Sequence, residues 1–224
     1  MRTLGVRIPA MQFPFAKMHG AGNDYIYVYT PTNDVPDPVT ASIEWSKPHF
    51  GIGSDGLILI GQGDGKQADF VMRIFNNDGS EARMCGNGIR CVGKYVYEHG
   101  LCESREISVN TLAGIKHLSL HVEGGLVESV TVDMGTPCLD AALIPVVAER
   151  SPVVREPIDV AERRFEMTCV SMGNPHYVIF TDNVDQVAEK GRELERHPAF
   201  PQRCNIELAA PLPSADGTLR VRVW

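Results

Sequence analysis

The chain carries 43% hydrophobic residues over 224 positions, sufficient for one large buried core or two small ones, so a globular protein is expected. A formal charge of -7 argues against a non-specific grip on nucleic acid or on an anionic membrane, both of which need clustered cationic side chains. There is no apolar run of membrane-spanning length and no secretion-signal core at the front, and the six cysteines, which lack CxxC spacing, read as reduced thiols; the expected address is cytoplasmic.

Along the chain, Met11 opens a segment, Met11-Gln12-Phe13-Pro14-Phe15, that reads as a natural start and makes residues 1–10 an upstream extension outside the fold. Alternating apolar and polar residues then predict strands at 13–17, 25–29, 56–60, 70–75, 107–111 and 118–122, after which Gly124-Gly125 turns the chain into 126–134. A helix is predicted over 86–98, where Ile89, Val92 and Val96 make one stripe and Gly100 marks the stop. A second helix is predicted over 184–195, capped by Asp182 or Asn183. Pro137, Pro145, Pro152 and Pro157 punctuate the stretch between the halves, which places a domain boundary near Asp133 and gives domains 1–133 and 134–224. The last residues alternate Leu219, Val221 and Val223 with Arg220, Arg222 and Trp224 after an Asp216-Gly217 turn and stop in mid-pattern. An interrupted domain, its partner strands missing, is the expectation.

The densest chemistry lies in the segment 75–91, which runs from a strand through a polar turn into the first helix. Cys85 falls at the helix start, where unpaired N–H groups and the macrodipole favour negative charge and lower a thiol's pKa. Gly86 and Gly88 leave the backbone bare, so a carboxylate can approach those N–H groups. Removing a proton from an amino-acid α-carbon needs both features together: a base of tunable pKa, and a site for the carboxylate that absorbs the developing charge. Local physics leaves a second reading open, in which Cys85 is a small buried helix-start residue and the glycines are turn chemistry. Cys91 reads as packing.

Four segments, Lys17-Met18-His19-Gly20-Ala21-Gly22-Asn23-Asp24, Gly51-Ile52-Gly53-Ser54-Asp55-Gly56, Met84-Cys85-Gly86-Asn87-Gly88 and Ser171-Met172-Gly173-Asn174-Pro175-His176, occur together and in this order. With them the chain resembles the diaminopimelate epimerases from residue 13 to its end, a specific signal because the match is joint. The resemblance implies an α+β fold of two similar domains, each a barrel-like mixed sheet around a central helix, the second incomplete. It implies cofactor-independent epimerisation of LL-diaminopimelate to meso-diaminopimelate, on the way to lysine and peptidoglycan precursors, by a homodimer that uses neither pyridoxal phosphate nor metal. Two cysteines, one from each domain, would face opposite sides of the α-carbon as thiolate base and thiol acid. Carried over by motif, Cys85 is the first of them and His176 a histidine near the reacting centre that tunes a thiol. Asn23, Asn76, Gly86, Asn87, Asn174 and Asn205 would bind the substrate, and neutral amides suit that task because they orient charged groups without adding a competing base. Read from the residues alone, Asn23 and Asn174 fit Gly-flanked turns equally well, and His176 fits a satisfied loop histidine.

The sequence departs from the family pattern in two places. Gly56 stands where some relatives carry a substrate-contacting glutamine, which puts that contact in doubt. The family continues beyond a strand like the last one here into an Ala-Cys-Gly-Thr-Gly segment with the second cysteine, which these residues lack, and Cys204 leads into a strand without following glycines. The expectation is a truncated chain that exchanges an α-hydrogen at best. Two alternatives stay open: a racemase or epimerase of the proline or hydroxyproline type, and a non-catalytic protein that keeps half a binding cleft.

Overall fold

The alternating segments of the first half become eight strands in a computed structural model that describes residues 14–160, 163–213 and 216–224. They are β1 (Ala16–Gly20), β2 (Asn23–Tyr29), β3 (Gly56–Gln62), β4 (Phe70–Asn76), a two-residue β5 (Glu81–Ala82), β6 (Glu106–Thr111), β7 (Gly114–Glu123) and β8 (Leu126–Asp133). Met11 and Phe13, at which the sequence reading places a start and a first strand, lie outside the described residues; β1 begins after Pro14, which has no N–H to give a ladder. The chain divides into two compact units that meet between Asp133 and Met134.

In the first unit the strands form one mixed sheet in the order β1-β2-β3-β4-β6-β7-β8, with β5 beside β4. The pairs β2–β3 and β4–β6 are parallel and the rest antiparallel. Helix α2 (Gly86–Glu98) carries the stripe read from its sequence, with Ile89, Val92 and Val96 wholly buried. It touches β1 and β2 at one end of the strand order and β7 and β8 at the other, so the sheet curls round it as a half-barrel. Each of those three side chains contributes about 1.5–3 kcal/mol by leaving water. Two glycines let the helix sit close: a Cβ at Gly88 would stand 2.6 Å from Ile58 Cδ1, and one at Gly93 would stand 2.8 Å from Leu120 Cδ2.

A helix absent from the sequence reading, α1 (Pro38–Trp45), covers the outer face. Asp37 caps it by accepting the Thr40 N–H at 3.0 Å, and Pro38 opens the first turn. Ala41 and Trp45 pack on Ile26, Val28, Leu57, Leu59 and Phe75, so β2 and β3 are buried on both faces. The buried Ser42 hydroxyl reaches the carbonyls of Phe75 and Asn76 at 2.9 and 2.8 Å and pins the end of β4.

The second unit has β9 (Glu156–Val160), β10 (Arg163–Ser171), β11 (Pro175–Phe180), β12 (Asn205–Pro211) and β13 (Leu219–Val223), in the order β13-β12-β11-β10-β9. Only β11–β12 is parallel among these described strands. The helix predicted over 184–195 is present in two pieces, a 3-10 turn (Val184–Gln186) capped by Asn183 and then α3 (Val187–Glu195). Val184 and Leu194 bury with Tyr177, Ile179, Ile206 and Leu208. The last strand has a partner on one side, since β13 pairs with β12 from Glu207↔Val223 to Pro211↔Leu219, and Trp224 lies against Gly191 of α3; β13 forms the edge of the described sheet with all its residues exposed. Both units share one ladder, in which an antiparallel hairpin is followed by a helical crossover to a parallel strand and an antiparallel return. The ladder reads β1-β2-α1-β3-β4 in one unit and β10-β11-α3-β12-β13 in the other. Among the described residues no helix is long and apolar enough to cross a membrane.

Candidate active site

Parallel pairing of β2 with β3 and antiparallel pairing of β3 with β4 put the start of β2, the start of β3 and the end of β4 at one end of the sheet. Asn23, Gly56 and Asn76 occupy those three places, and the first turn of α2 comes to the same end, since a Cβ on Gly20 would stand 2.7 Å from the Asn87 carbonyl oxygen. Cys85 is the N-cap of α2, with φ -139° and ψ 105°. Its Sγ accepts the Gly88 N–H at 3.3 Å, the role a Ser or Asp oxygen fills at most helix starts, and its thiol donates to Asn23 Oδ1 at 3.4 Å.

The neighbouring amides are held from behind. Asp55 Oδ2 takes the Asn23 Nδ2–H at 2.8 Å and the Asp24 N–H at 2.9 Å, which turns Asn23 Oδ1 toward the sulfur. Arg90 donates to Asn87 Oδ1 at 2.7 Å and to the Gly86 carbonyl at 3.1 Å, leaving the Asn87 Nδ2 as the outward end. Asn76 gives its Nδ2–H to Ser80 Oγ at 3.0 Å. The Tyr25 hydroxyl, on a residue 5% exposed, is an electrostatic neighbour of both Cys85 and Asn23.

Burial pushes the Cys85 thiol above its ordinary value; the N–H groups of Gly88 and Asn87 and the Tyr25 hydroxyl pull the other way without overcoming it. The lowered thiol expected from the helix start alone is thereby corrected: taking the sulfur out of water costs its anion more than the first-turn N–H groups return. Burial likewise raises the Tyr25 hydroxyl, and the sulfur adds to it, so Tyr25 remains a donor.

In the second unit, β10 and β11 are joined by a turn with Gly173 at φ 105°, followed by Asn174. His176 pairs across the parallel step with Asn205, whose Nδ2–H goes to the Pro175 carbonyl at 3.0 Å. The ring of His176 is held at both nitrogens, Nδ1 by Glu207 Oε1 at 2.5 Å and Nε2 by Asn174 Oδ1 at 3.0 Å. Among the described residues no group of three or more His, Cys, Asp or Glu is placed to hold a metal ion.

Residues 15–139 match the family model described as diaminopimelate epimerase. Over 213 residues the chain is 53% identical to a diaminopimelate epimerase of Bacteroides thetaiotaomicron, covering 94% of this chain and 73% of that one. It is 51% identical to one of Agathobacter rectalis, over 94% of this chain and 75% of that one. The chain belongs to the diaminopimelate epimerase family. The fold is shared more widely: a probable proline racemase from Agrobacterium radiobacter superposes with a TM-score of 0.66 at 16% identity, over 93% of this chain and 69% of the other.

Within this diaminopimelate epimerase family member, the residues singled out in the sequence fall into two groups. The first unit gathers Cys85, Gly86, Asn87, Asn23 and Asn76 at one sheet end; the second gathers Asn174, His176 and Asn205. Tyr25, Asp55, Arg90 and Glu207 join them without having been singled out. Asp55 lay inside a quoted motif, and Glu207 stands two residues beyond Asn205 on the same strand face, which is the signal that points to it. Gly56 now has a steric reason: a Cβ there would meet the Phe75 carbonyl and come within 2.9 Å of Tyr25 Cε1, so a glutamine has no room beside this tyrosine.

Proposed function

We propose that this chain serves the cofactor-independent interconversion of LL- and meso-diaminopimelate by contributing one of its two proton-transferring thiols, Cys85. The observation that carries the reading is the sulfur at the start of α2, held between the Gly88 N–H and the Asn23 amide beside the Gly86-Asn87 opening of the helix. A carboxylate of the substrate would lie on the first-turn N–H groups and on Asn87. The ionised sulfur then takes the α-hydrogen as a proton, and the electron pair left behind moves into that carboxylate. A thiol raised by burial is a stronger base once ionised, which suits a weakly acidic C–H bond. The family resemblance assigns His176, Asn174 and Asn205 to substrate binding as well.

Inversion needs a proton donor on the opposite face of the α-carbon. Among the described residues none of the other five cysteines caps a helix that opens on glycines, so a polypeptide of these 224 residues offers one such thiol. The reading includes a cytoplasmic homodimer on the route to lysine and peptidoglycan precursors. The 16% identity to a proline racemase concerns fold alone and does not move the substrate toward proline.

Incubation of the purified chain with LL- and meso-diaminopimelate in deuterated solvent tests this reading. Uptake of α-deuterium without interconversion is expected, abolished by Cys85→Ser, with none on proline or 4-hydroxyproline. Exchange that survives Cys85→Ser would remove Cys85 from the mechanism, and interconversion by these residues alone would end the single-thiol part.

A further inference from the structure

We infer that Glu207 is a positioning residue: its carboxylate takes the Nδ1–H of His176 and, through the ring, fixes which end of the Asn174 amide faces outward. The inference rests on the proposed contact of Asn174 and His176 with the substrate, and it adds a residue that determines which substrate atom Asn174 can hold.

The geometry follows from the strands. In the parallel β11–β12 pair His176 is opposite Asn205, and Glu207 lies two residues on, hence on the same face, while Tyr177, Ile206 and Leu208 point into the core. Glu207 Oε1 is 2.5 Å from Nδ1, and an ionised carboxylate has no hydrogen to give, so Nδ1 carries the hydrogen. Nε2 is 3.0 Å from Asn174 Oδ1, also an acceptor, so Nε2 donates as well. The ring thus stands between two oxygens, and both contacts are hydrogen bonds together only when each ring nitrogen carries a hydrogen. A neutral ring with its hydrogen on Nδ1 would present a lone pair to Oδ1 and force the amide to turn over.

The surroundings of Glu207 favour the charged pair. Its side chain is 13% exposed, Oε2 is buried with no hydrogen-bond partner, and its ion pair is with His176. A carboxylate so placed needs a positive partner, because an uncompensated buried charge is costly. With Oδ1 engaged, the Asn174 Nδ2 is the outward end, a donor suited to a carboxylate oxygen and unsuited to an ammonium group. Glu207 thus selects, two hydrogen bonds away, an oxygen rather than a nitrogen of the bound amino acid.

Nitrogen-15 spectra of histidine-labelled protein at pH 7, with His176 assigned among the seven histidines by His176→Asn, test this directly. Both ring nitrogens of His176 should be protonated in the parent chain and one in Glu207→Gln, which keeps size and an acceptor oxygen. Diaminopimelate should bind Glu207→Gln about tenfold more weakly, the loss of one charge-assisted contact. A parent spectrum with Nδ1 unprotonated, or an unchanged spectrum in Glu207→Gln, overturns the inference; a changed spectrum with unchanged affinity overturns its extension to Asn174. The spectra do not depend on catalysis, so failed deuterium uptake with the predicted spectra would strike the proposed reaction and leave the role of Glu207 toward the ring standing.

Discussion

At the scale of the residue, the Cys85 sulfur is governed by a contest between burial and donors, and burial wins. Removing one donor should widen the margin. In Tyr25→Phe the sulfur keeps its Gly88 and Asn87 N–H groups and loses the hydroxyl, so its ionisation moves further up. Alkylation of Cys85 at pH 8, followed by peptide mass, should slow about tenfold, the worth of one hydrogen bond to a charged group. An unchanged rate would place the hydroxyl outside the reaction. Cys85 was legible in the sequence because its cues are local: a cysteine followed by two spaced glycines at the head of a helical stripe. Tyr25, Asp55 and Glu207 carry weaker cues, a motif position for Asp55 and a shared strand face for Glu207, because their partners are distant in the chain. Asp55 reaches Asn23 over 32 positions and Glu207 reaches His176 over 31, distances that no local period encodes.

At the scale of the element, α2 and the turn that ends β1 are seated against one another with backbone on backbone. A methyl at Gly20 would meet the Asn87 carbonyl at 2.7 Å, and neither chain can rotate away. Gly20→Ala should cost about 1–3 kcal/mol in urea unfolding and loosen the Asn23 turn from Cys85. The contrast is Gly93→Ala, whose methyl meets only the ends of Leu120 and Leu118 at 2.8 and 3.1 Å. Those tips can turn aside, and alanine is about 1 kcal/mol better than glycine inside a helix, so its stability should change little. Equal losses in the two variants would refute this account of the seat. The same difference in kind explains which elements the sequence disclosed. The thirteen residues of α2 repeat their apolar stripe often enough to be seen, whereas the eight of α1 do not.

At the scale of the whole molecule, the second unit encloses thiols that resist ionisation. Burial pushes Cys169 up to about 12 from 9.0, and burial with neighbouring charge does the same to Cys204. A raised thiol keeps its proton in the fold at a pH where the unfolded chain releases it. That stability is whole below pH 9 and drains away as pH climbs toward 12, by about 1.4 kcal/mol per pH unit for a thiol as buried as Cys169. The melting temperature should therefore fall between pH 9 and 11. Cys169→Ala should be less stable at pH 8 yet decline less steeply; a parallel decline would clear the thiol of blame. The repeated ladder of the two units bears on how the chain reaches this state at all. The Asn23–Asp55 and His176–Glu207 contacts each span a parallel strand pair whose partners are about thirty residues apart, and closing such a loop is repaid only after the far strand has docked. Neither the Asn23–Asp55 contact nor the His176–Glu207 contact can precede that event. The kinetics of folding thus put each contact behind a long-range parallel pairing within its own unit.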